Sequence, residues 1–433
     1  MTDKSSFDIT HSSLDICYSS SVTPHSTLHV PSHMDIINKF ENHVSEFLNN
    51  YVKGAALLAA VSGGADSMAL LVSLCALKNS GIINKDALLC VHVEHGLRPV
   101  QESCGDACYV SDYCKSNEIQ CRIKHIPPGK ISLFSQRKGT GIEAAARFFR
   151  HKALFREAKR LESLNNIGAK TCILLAHTKD DLLETTLMRI LRGAGPAGLS
   201  AMSRDRGSWT KDHGVIIERP LLNMAREDVI NYLTAKNISW REDSTNNDEK
   251  FLRNRIRRRL IPFLINSFPS WKKGVSGLNE TQSLAADFIA DETRSRIKWE
   301  TYPKSSHKGA EPPVRETHRG EDFFTLKYAD SNHRFGHEKK ELFTNEEDFF
   351  AQPQIIREEA VFSAINSLVF SVLCDSLSNK SIKRSVVRRF CEGMINAADL
   401  GPVRIMRKDG KILLSHKQKE FFECGFSHLI NES

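Results

Sequence analysis

Between Ala55 and about Trp240, short apolar runs alternate with stretches whose apolar residues recur at helical spacing. The runs Ala55 to Val61, Ala87 to Glu94, Ile119 to Ile126, Cys172 to His177 and Val215 to Glu218 predict strands, each separated from the next by a segment able to form a helix. Such alternation predicts an α/β fold with a doubly wound, mostly parallel sheet, and in such sheets ligands sit beyond the carboxyl ends of the strands. The pattern changes after residue 242. Residues 243–298 read as helical, with an arginine-rich face followed by Leu/Ala-rich faces, and residues 299–355, with Pro303, Pro312, Pro313 and Pro353, read as a polar linker or insertion. Residues 356–433 open with an apolar helix pattern, continue through a basic helix, and reach alternating apolar residues around Asp409-Gly410, a strong hairpin signal. A small α+β domain is expected there. Residues 1–33 are rich in Ser, Thr and His and poor in large apolar residues, which predicts a disordered polar tail. Met34, ahead of the amphipathic run Asp35 to Val52, is a second candidate start, so the α/β domain is set at 34–242.

The chemistry gathers at the ends of the strands. After the first comes Ser62-Gly63-Gly64-Ala65-Asp66-Ser67, which leads into a helix. The two glycines can turn consecutive N–H groups toward one point, the helix start adds its unsatisfied donors and positive dipole end, and Ser62 and Ser67 add hydroxyls, so the turn is suited to phosphate. The lysine of a Walker A loop is missing. Asp66 beside polyphosphate requires a cation such as Mg²⁺, or a hydrogen bond across the loop. The second strand ends in His92-Val93-Glu94-His95-Gly96-Leu97-Arg98 and the fourth in His177-Thr178-Lys179-Asp180-Asp181, so three polar clusters converge on one edge. In the helix that follows, Leu183, Leu187, Ile190 and Leu191 predict a core-facing stripe, with Asp181, Glu184 and Thr185 on the polar side. The two acids read either as partners of the helix dipole or as a carboxylate pair for an ammonium group or Mg²⁺. Arg147, Arg150 and His151 lie three or four residues apart on one helix, where they suit a phosphate or nucleotide backbone unless Arg147 merely pairs with Glu143.

Composition narrows the class. The 433 residues, 40% of them hydrophobic, suffice for two or three domains with cores of their own. No apolar stretch approaches the ~18 residues of a membrane span, and the amino-terminal stretch has neither the basic segment nor the apolar segment of a leader. Eleven cysteines scattered through apolar segments fit reduced thiols and a cytoplasmic protein. Cys104, Cys108, Cys114 and Cys121 cluster in sequence without the paired spacing of zinc or iron–sulfur sites, so burial on a helix is expected. The net charge of +8 is concentrated: Phe251 to Leu260 holds five arginines, and Ser381 to Phe390 holds Lys383, Arg384, Arg388 and Arg389. Two basic runs flanking separate domains point to a nucleic-acid backbone.

The motif Ser-Gly-Gly-x-Asp-Ser after an apolar strand resembles the pyrophosphate loop (PP-loop) of the Rossmann-like N-type ATP pyrophosphatases. Together with His92 to Arg98, Gly141 to Leu154, Ala176 to Met202, Glu218 to Leu222 and Trp240 to Arg257, in order over residues 55–262, it resembles the bacterial tRNA(Ile)-lysidine synthetases. The run Arg192 to Met202 is the most discriminating piece, the carboxyl-terminal hairpin domain is similar more weakly, and Glu94 departs from the usual family residue. The resemblance implies a ligase that uses ATP to join free L-lysine to the wobble cytidine of tRNA(Ile) with a CAU anticodon. It further implies that Ser62, Gly63, Gly64, Ala65, Asp66, Ser67 and Arg147 meet ATP, with Mg²⁺ at Asp66. Asp181 and Glu184 would hold lysine, Asp66 or Asp181 would accept its proton, and Arg150, Arg253, Arg255, Arg257 and Arg258 would meet tRNA. Family members are often homodimers. The rival readings are a tRNA cytidine thiolase with the same loop, and a nonenzymatic RNA-binding protein with a decayed ATP site.

Overall fold

In the computed structural model the described residues are 32–98, 100–164, 170–200, 202, 215–242, 252–301, 341–372, 382–401 and 403–416. Nearly all of the polar amino-terminal tail, residues 302–340 and part of the motif after Trp240 lie outside them.

The five expected strands form at Ala56–Ala60 (β1), Leu88–Glu94 (β2), Gln120–His125 (β3), Thr171–Leu175 (β4) and Ile216–Glu218 (β5). All pair in parallel, in the order β3-β2-β1-β4-β5. β1 and β4 are central and buried along almost their whole length, which is why they read as continuous apolar runs, whereas edge strand β3 is half-exposed. Strand order reverses between β1 and β4, so the crevice at their carboxyl ends is where this fold places ligands.

Helices cover both faces. On one side lie α1 (His33–Tyr51), α2 (Ala65–Asn79) and α3 (Val100–Ser116). α1 begins at a capping box in which the Ser32 hydroxyl accepts from Asp35 N and Asp35 accepts from Ser32 N. α4 (Lys130–Lys138) and α5 (Ile142–Leu164) follow, and α5 buries Leu154, Phe155, Ala158 and Leu161 against the opposite face. After β4 come α6 (Lys179–Ile190) and the short α7 (Pro196–Leu199), and after β5 comes α8 (Arg226–Ala235), whose Tyr232 stacks on Phe40 of α1 with ring centres 4.1 Å apart.

The arginine-rich segment forms α9 (Leu252–Arg255), a π-helical turn over Ile256–Leu260, and α10 (Ile261–Ser267), followed by the long α11 (Trp271–Arg296). Ile256 and Trp271 bury against Leu183 and Leu187 of α6, docking the helical region onto the strand-end face. The stripe expected on α6 stops there: Ile190 and Leu191 at the end of the helix are exposed.

The carboxyl-terminal domain starts earlier than the composition suggested. Glu300–Thr301 (β6), Leu342–Asn345 (β7), Ala397–Leu400 (β8), Val403–Lys408 (β9) and Lys411–His416 (β10) form an antiparallel sheet in the order β6-β7-β10-β9-β8. Both ends of the stretch read as linker therefore belong to this domain, as strands at Glu300–Thr301 and Leu342–Asn345 and helix beyond, and Leu342 and Phe349 bury with the apolar residues around the sheet, as does Ile297 just ahead of the stretch. Those helices are α12 (Glu346–Phe350), α13 (Gln354–Val372) and α14 (Arg384–Cys391). Asp409 and Gly410 take φ of 51° and 68° in the β9–β10 turn, the left-handed pair that such a hairpin requires. Arg384 and Arg388 of the second basic run grip Glu358 on α13 through their Nε atoms, at 3.1 and 3.2 Å, so half of that run is engaged within its own domain. A Cβ on Gly195 would fall on Nη1 of Arg384, so the glycine lets this domain approach the Arg192 to Met202 run closely.

Candidate active site

Ser62 to Ser67 leave β1 at the reversal point. Gly63 takes φ of +91°, open to glycine but strained for other residues, and its carbonyl accepts from Arg241 N at 2.9 Å. Ser67 ties the turn from inside: its Oγ accepts from Ser62 N at 3.1 Å and donates to Gly64 O at 2.9 Å. Gly64 is the N-cap of α2 and has no side chain to cap the helix, so the first N–H groups of α2, at Ala65, Asp66 and Ser67, keep the orphan donors of a helix start. Beneath the loop, His92 Nδ1 donates to Val61 O at 2.9 Å, and burial holds its ring below the ordinary histidine range. Glu94, the departure from the family pattern, pairs with His125 across the β2–β3 edge.

Asp66 is the first titratable group of the loop. Its Oδ2 accepts from Arg226 Nη1 at 2.8 Å, whereas its Oδ1 is buried and accepts no hydrogen bond from the described residues. Burial pushes the carboxyl up to about 6, and Arg226 restrains the rise. Asp180 fixes Arg226 from behind by accepting from its backbone N at 2.8 Å.

Asp181 and Glu184 stand at the start of α6, beyond β4. Asp181 completes a capping box with Thr178, its Oδ2 accepting from Thr178 N at 3.0 Å. Both acids, expected on the polar side of the helix, are buried, because the arginine-rich segment covers them. Arg253 donates through Nη2 to Asp181 Oδ1 at 2.6 Å and through Nε to Glu184 Oε2 at 2.8 Å. Arg257 adds Nη2 to Asp181 at 3.3 Å and pairs through Nε with Glu184. Burial alone would lower the Arg253 pKa, but the two acids hold it above its ordinary value. Two of the four arginines of this segment read as tRNA contacts thus face the acids; the other two, Arg255 and Arg258, are exposed.

A cationic cluster shares this space. Arg150 has its Nε buried without a hydrogen-bond partner among the described residues, and burial together with Arg147 and Arg253 brings its pKa down to about 10. His151 is pushed down to about 3 by burial and by Arg147, Arg150 and Arg219. His177 accepts at Nδ1 from Arg219 Nε at 3.1 Å, and burial plus the same arginines hold its pKa well below the histidine range. Both histidines are therefore neutral beside crowded guanidinium groups, a field that attracts a polyanion. Arg147 is exposed at the rim.

Among the described residues the site thus combines uncapped N–H groups, an unpartnered buried guanidinium nitrogen and a carboxylate oxygen without a donor. The first two fit a nucleotide polyphosphate, and the third fits a divalent cation beside it.

Three contributors escaped the sequence reading. Arg226 opens α8 and reaches Asp66 from 160 residues further along the chain. Arg219, within the Glu218 to Leu222 motif, reaches His177 across 42 residues. Asp106 sat within α3, yet its buried carboxylate accepts from Arg98 Nη2 at 2.6 Å and from Arg241 Nε at 3.0 Å, bracing the residue that holds Gly63. Gly105 beside it leaves room for the same side chain, since a Cβ there would stand 3.1 Å from Arg241 Nη2.

Burial of the cysteines also differs from expectation. The inward face of α3 carries Ser103, Asp106, Ala107, Val110 and Cys114, so Cys104 and Cys108 fall on the outer flank and are exposed, while Cys121 lies on β3.

A family model described as a PP-loop domain matches residues 36–264. The tRNA(Ile)-lysidine synthase of Treponema denticola is 40% identical over 219 residues, covering 51% of this chain and 44% of that protein. That of Bacillus subtilis is 32% identical over 259 residues, covering 59% and 50%. The chain thus spans about half the length of the curated relatives it matches. Among solved structures, the U34-tRNA thiolase NcsA from Methanococcus maripaludis overlaps at a TM-score of 0.43 with 14% identity, over 57% of this chain and 79% of that one. The family model covers more than half of the chain and includes the loop, the acids and the arginine cluster, and the chain belongs to the PP-loop domain family.

Proposed function

We propose that this chain is a tRNA(Ile)-lysidine synthetase, joining L-lysine to the wobble cytidine of a CAU anticodon with ATP and releasing AMP and diphosphate. One observation carries the reading: a buried carboxylate pair, Asp181 and Glu184, is set to hold cations next to a loop and arginine cluster suited to polyphosphate. The similarity to tRNA(Ile)-lysidine synthases at 32 to 40% identity supports it.

In the first step the cytosine carbonyl oxygen bonds to the α-phosphorus of ATP and diphosphate leaves. Orphan N–H groups of the Gly64 to Ser67 turn, with Arg147 and Arg150, stabilise charge as it develops on the departing oxygens, the role of preorganised donors in such transfers. Mg²⁺, when held at Asp66, would supply further neutralisation of that charge. In the second step the side-chain amine of lysine attacks the activated ring carbon and AMP departs. Asp181 and Glu184, which grip the Arg253 and Arg257 guanidinium groups, would exchange them for lysine's ammonium groups. The attacking amine must first lose a proton, and Asp66, raised to about 6, or Asp181 would receive it. Exposed Arg255 and Arg258 would meet the tRNA backbone, and an unpaired anticodon base is open to such chemistry. The product pairs with adenosine, so the tRNA reads AUA instead of AUG and changes identity from methionine to isoleucine. ATP and tRNA substrates suit a cytoplasmic setting, and no helix among the described residues is long and apolar enough to cross a membrane.

The test is Asp66→Ala. Lysine-dependent AMP release should be abolished while tRNA binding is largely spared; undiminished turnover would overturn the assignment.

A further inference from the structure

Away from this site, three cysteines from three separate elements converge. Cys90 in the middle of β2, Cys121 on β3 and Cys114 near the end of α3 bring their Sγ atoms within 4.8 Å of one another. They are 24 and 7 residues apart in sequence, and the fold holds them together in two ways. Parallel pairing sets Cys90 directly beside Cys121. The end of α3 turns straight into β3, with Ile119 N donating to Cys114 O at 2.9 Å, which fixes Cys114 over the pair. Cys90 and Cys114 are buried and Cys121 is half-buried, so the cluster has an approach from the β3 side. Among the described residues this is the sole group of three or more His, Cys, Asp or Glu ligand atoms gathered so closely.

We infer that Cys90, Cys114 and Cys121 form a binding site for one soft, thiophilic d¹⁰ cation, Zn(II) or Cu(I). Sulfur atoms around a tetrahedral zinc stand about 3.8 Å apart, given a Zn–S bond of about 2.3 Å, so the cluster needs to close by no more than about 1 Å to ligate. Soft thiolates select these two ions over Mg²⁺ or Ca²⁺. Three sulfurs satisfy Cu(I) directly. Zinc takes a fourth ligand, and the nearest nitrogen donor along the strand is His92, two residues after Cys90 on the same sheet face. Its Nδ1–H is committed to the Val61 carbonyl, which leaves Nε2 with the lone pair, the arrangement usual for a ligating histidine. Binding exchanges each thiol proton for a metal–sulfur bond, releasing up to three protons with no change of oxidation state. The ion would pin α3 to the β2–β3 edge, beside the strand whose His92 supports the PP-loop.

The full-length chain, reduced and stripped with a chelator, is given zinc in one arm and copper(I) under anaerobic conditions in the other, desalted, and weighed by native mass spectrometry. Wild type and Cys104→Ser/Cys108→Ser, which removes the exposed pair on the same helix, should each keep one ion in at least one arm. Cys121→Ala, a change at a half-buried edge position, should bind that ion at least 100-fold more weakly while its circular dichroism matches wild type. Should that variant not fold, alkylation of wild type serves instead: the ion should slow modification of half-buried Cys121 relative to the metal-free chain and leave exposed Cys104 and Cys108 as reactive as before. The proposal is overturned if neither ion is retained, if Cys121→Ala retains it as wild type does, if the Cys104/Cys108 variant loses it, or if protection falls on those two cysteines.

Discussion

Arg253 Nη2 lies 2.6 Å from Asp181 Oδ1, joining the helical region that follows the α/β domain to the helix that starts beyond β4. The same guanidinium reaches Glu184 through Nε, so one side chain serves both acids and carries the helical region onto the site.

Removing that side chain should destabilise the fold. Loss of one partner from a buried ion pair costs about 3 to 5 kcal/mol, and because Arg257 stays on both acids the expected loss for Arg253→Ala is about 2 kcal/mol. Arg253→Lys, which keeps the charge but not the fork, should recover roughly half of it. Urea denaturation of both variants measures this; an unchanged midpoint for Arg253→Ala would show that the pair contributes nothing net.

The Asp66 carboxyl, held at about 6 instead of the ordinary 3.8, gives a pH dependence with a defined sign. Between those values the folded chain keeps a proton that the unfolded chain has released, so this group's contribution to stability falls as pH rises through the window. The ionised carboxylate is the form that can hold a cation or accept a proton, so kcat/KM for ATP should show an acid limb near pH 6. Arg226 lowers this pKa, whereas neighbouring Asp181 raises it and Arg257 lowers it. Arg226→Ala should therefore move the limb to higher pH. A limb that stays in place in that variant would assign it to another group.

Gly63→Ala tests the loop's backbone. At φ of +91° an L-residue is strained by about 1 to 3 kcal/mol, while the new Cβ would meet its nearest neighbours, Arg241 and Val110, at an ordinary 3.7 Å. The variant should lose that much stability and much of its ATP affinity, whereas Gly64→Ala, with φ of −75°, should keep its stability. Calorimetric melting compares the two, and equal melting points would remove the conformational argument.

How much of this was legible in the sequence follows from the range of the interactions. β1 and β4 are buried on both faces by their own apolar residues, so their strands stood out, and the loop between β1 and α2 is a local motif. The carboxyl-terminal hairpin was equally local, written in Asp409-Gly410. Asp181 and Glu184 were legible as a pair, but their burial was not, because the arginines that cover them come from about seventy residues further along the chain. Arg226 and Asp106 were invisible for the same reason: each acts across 160 and 135 residues, on Asp66 and Arg241 respectively. The Cys90–Cys121 juxtaposition depended on strand pairing, which spacing along the chain does not encode.

The most direct test of the central claim is transfer of labelled lysine. The chain is incubated with ATP, radiolabelled L-lysine and, separately, isoleucine and methionine tRNA transcripts that share a CAU anticodon. The account predicts ATP-dependent label in the isoleucine transcript, located at the wobble cytidine, and none in the methionine transcript. Absence of label from both transcripts, with ATP bound and the tRNA intact, would contradict it.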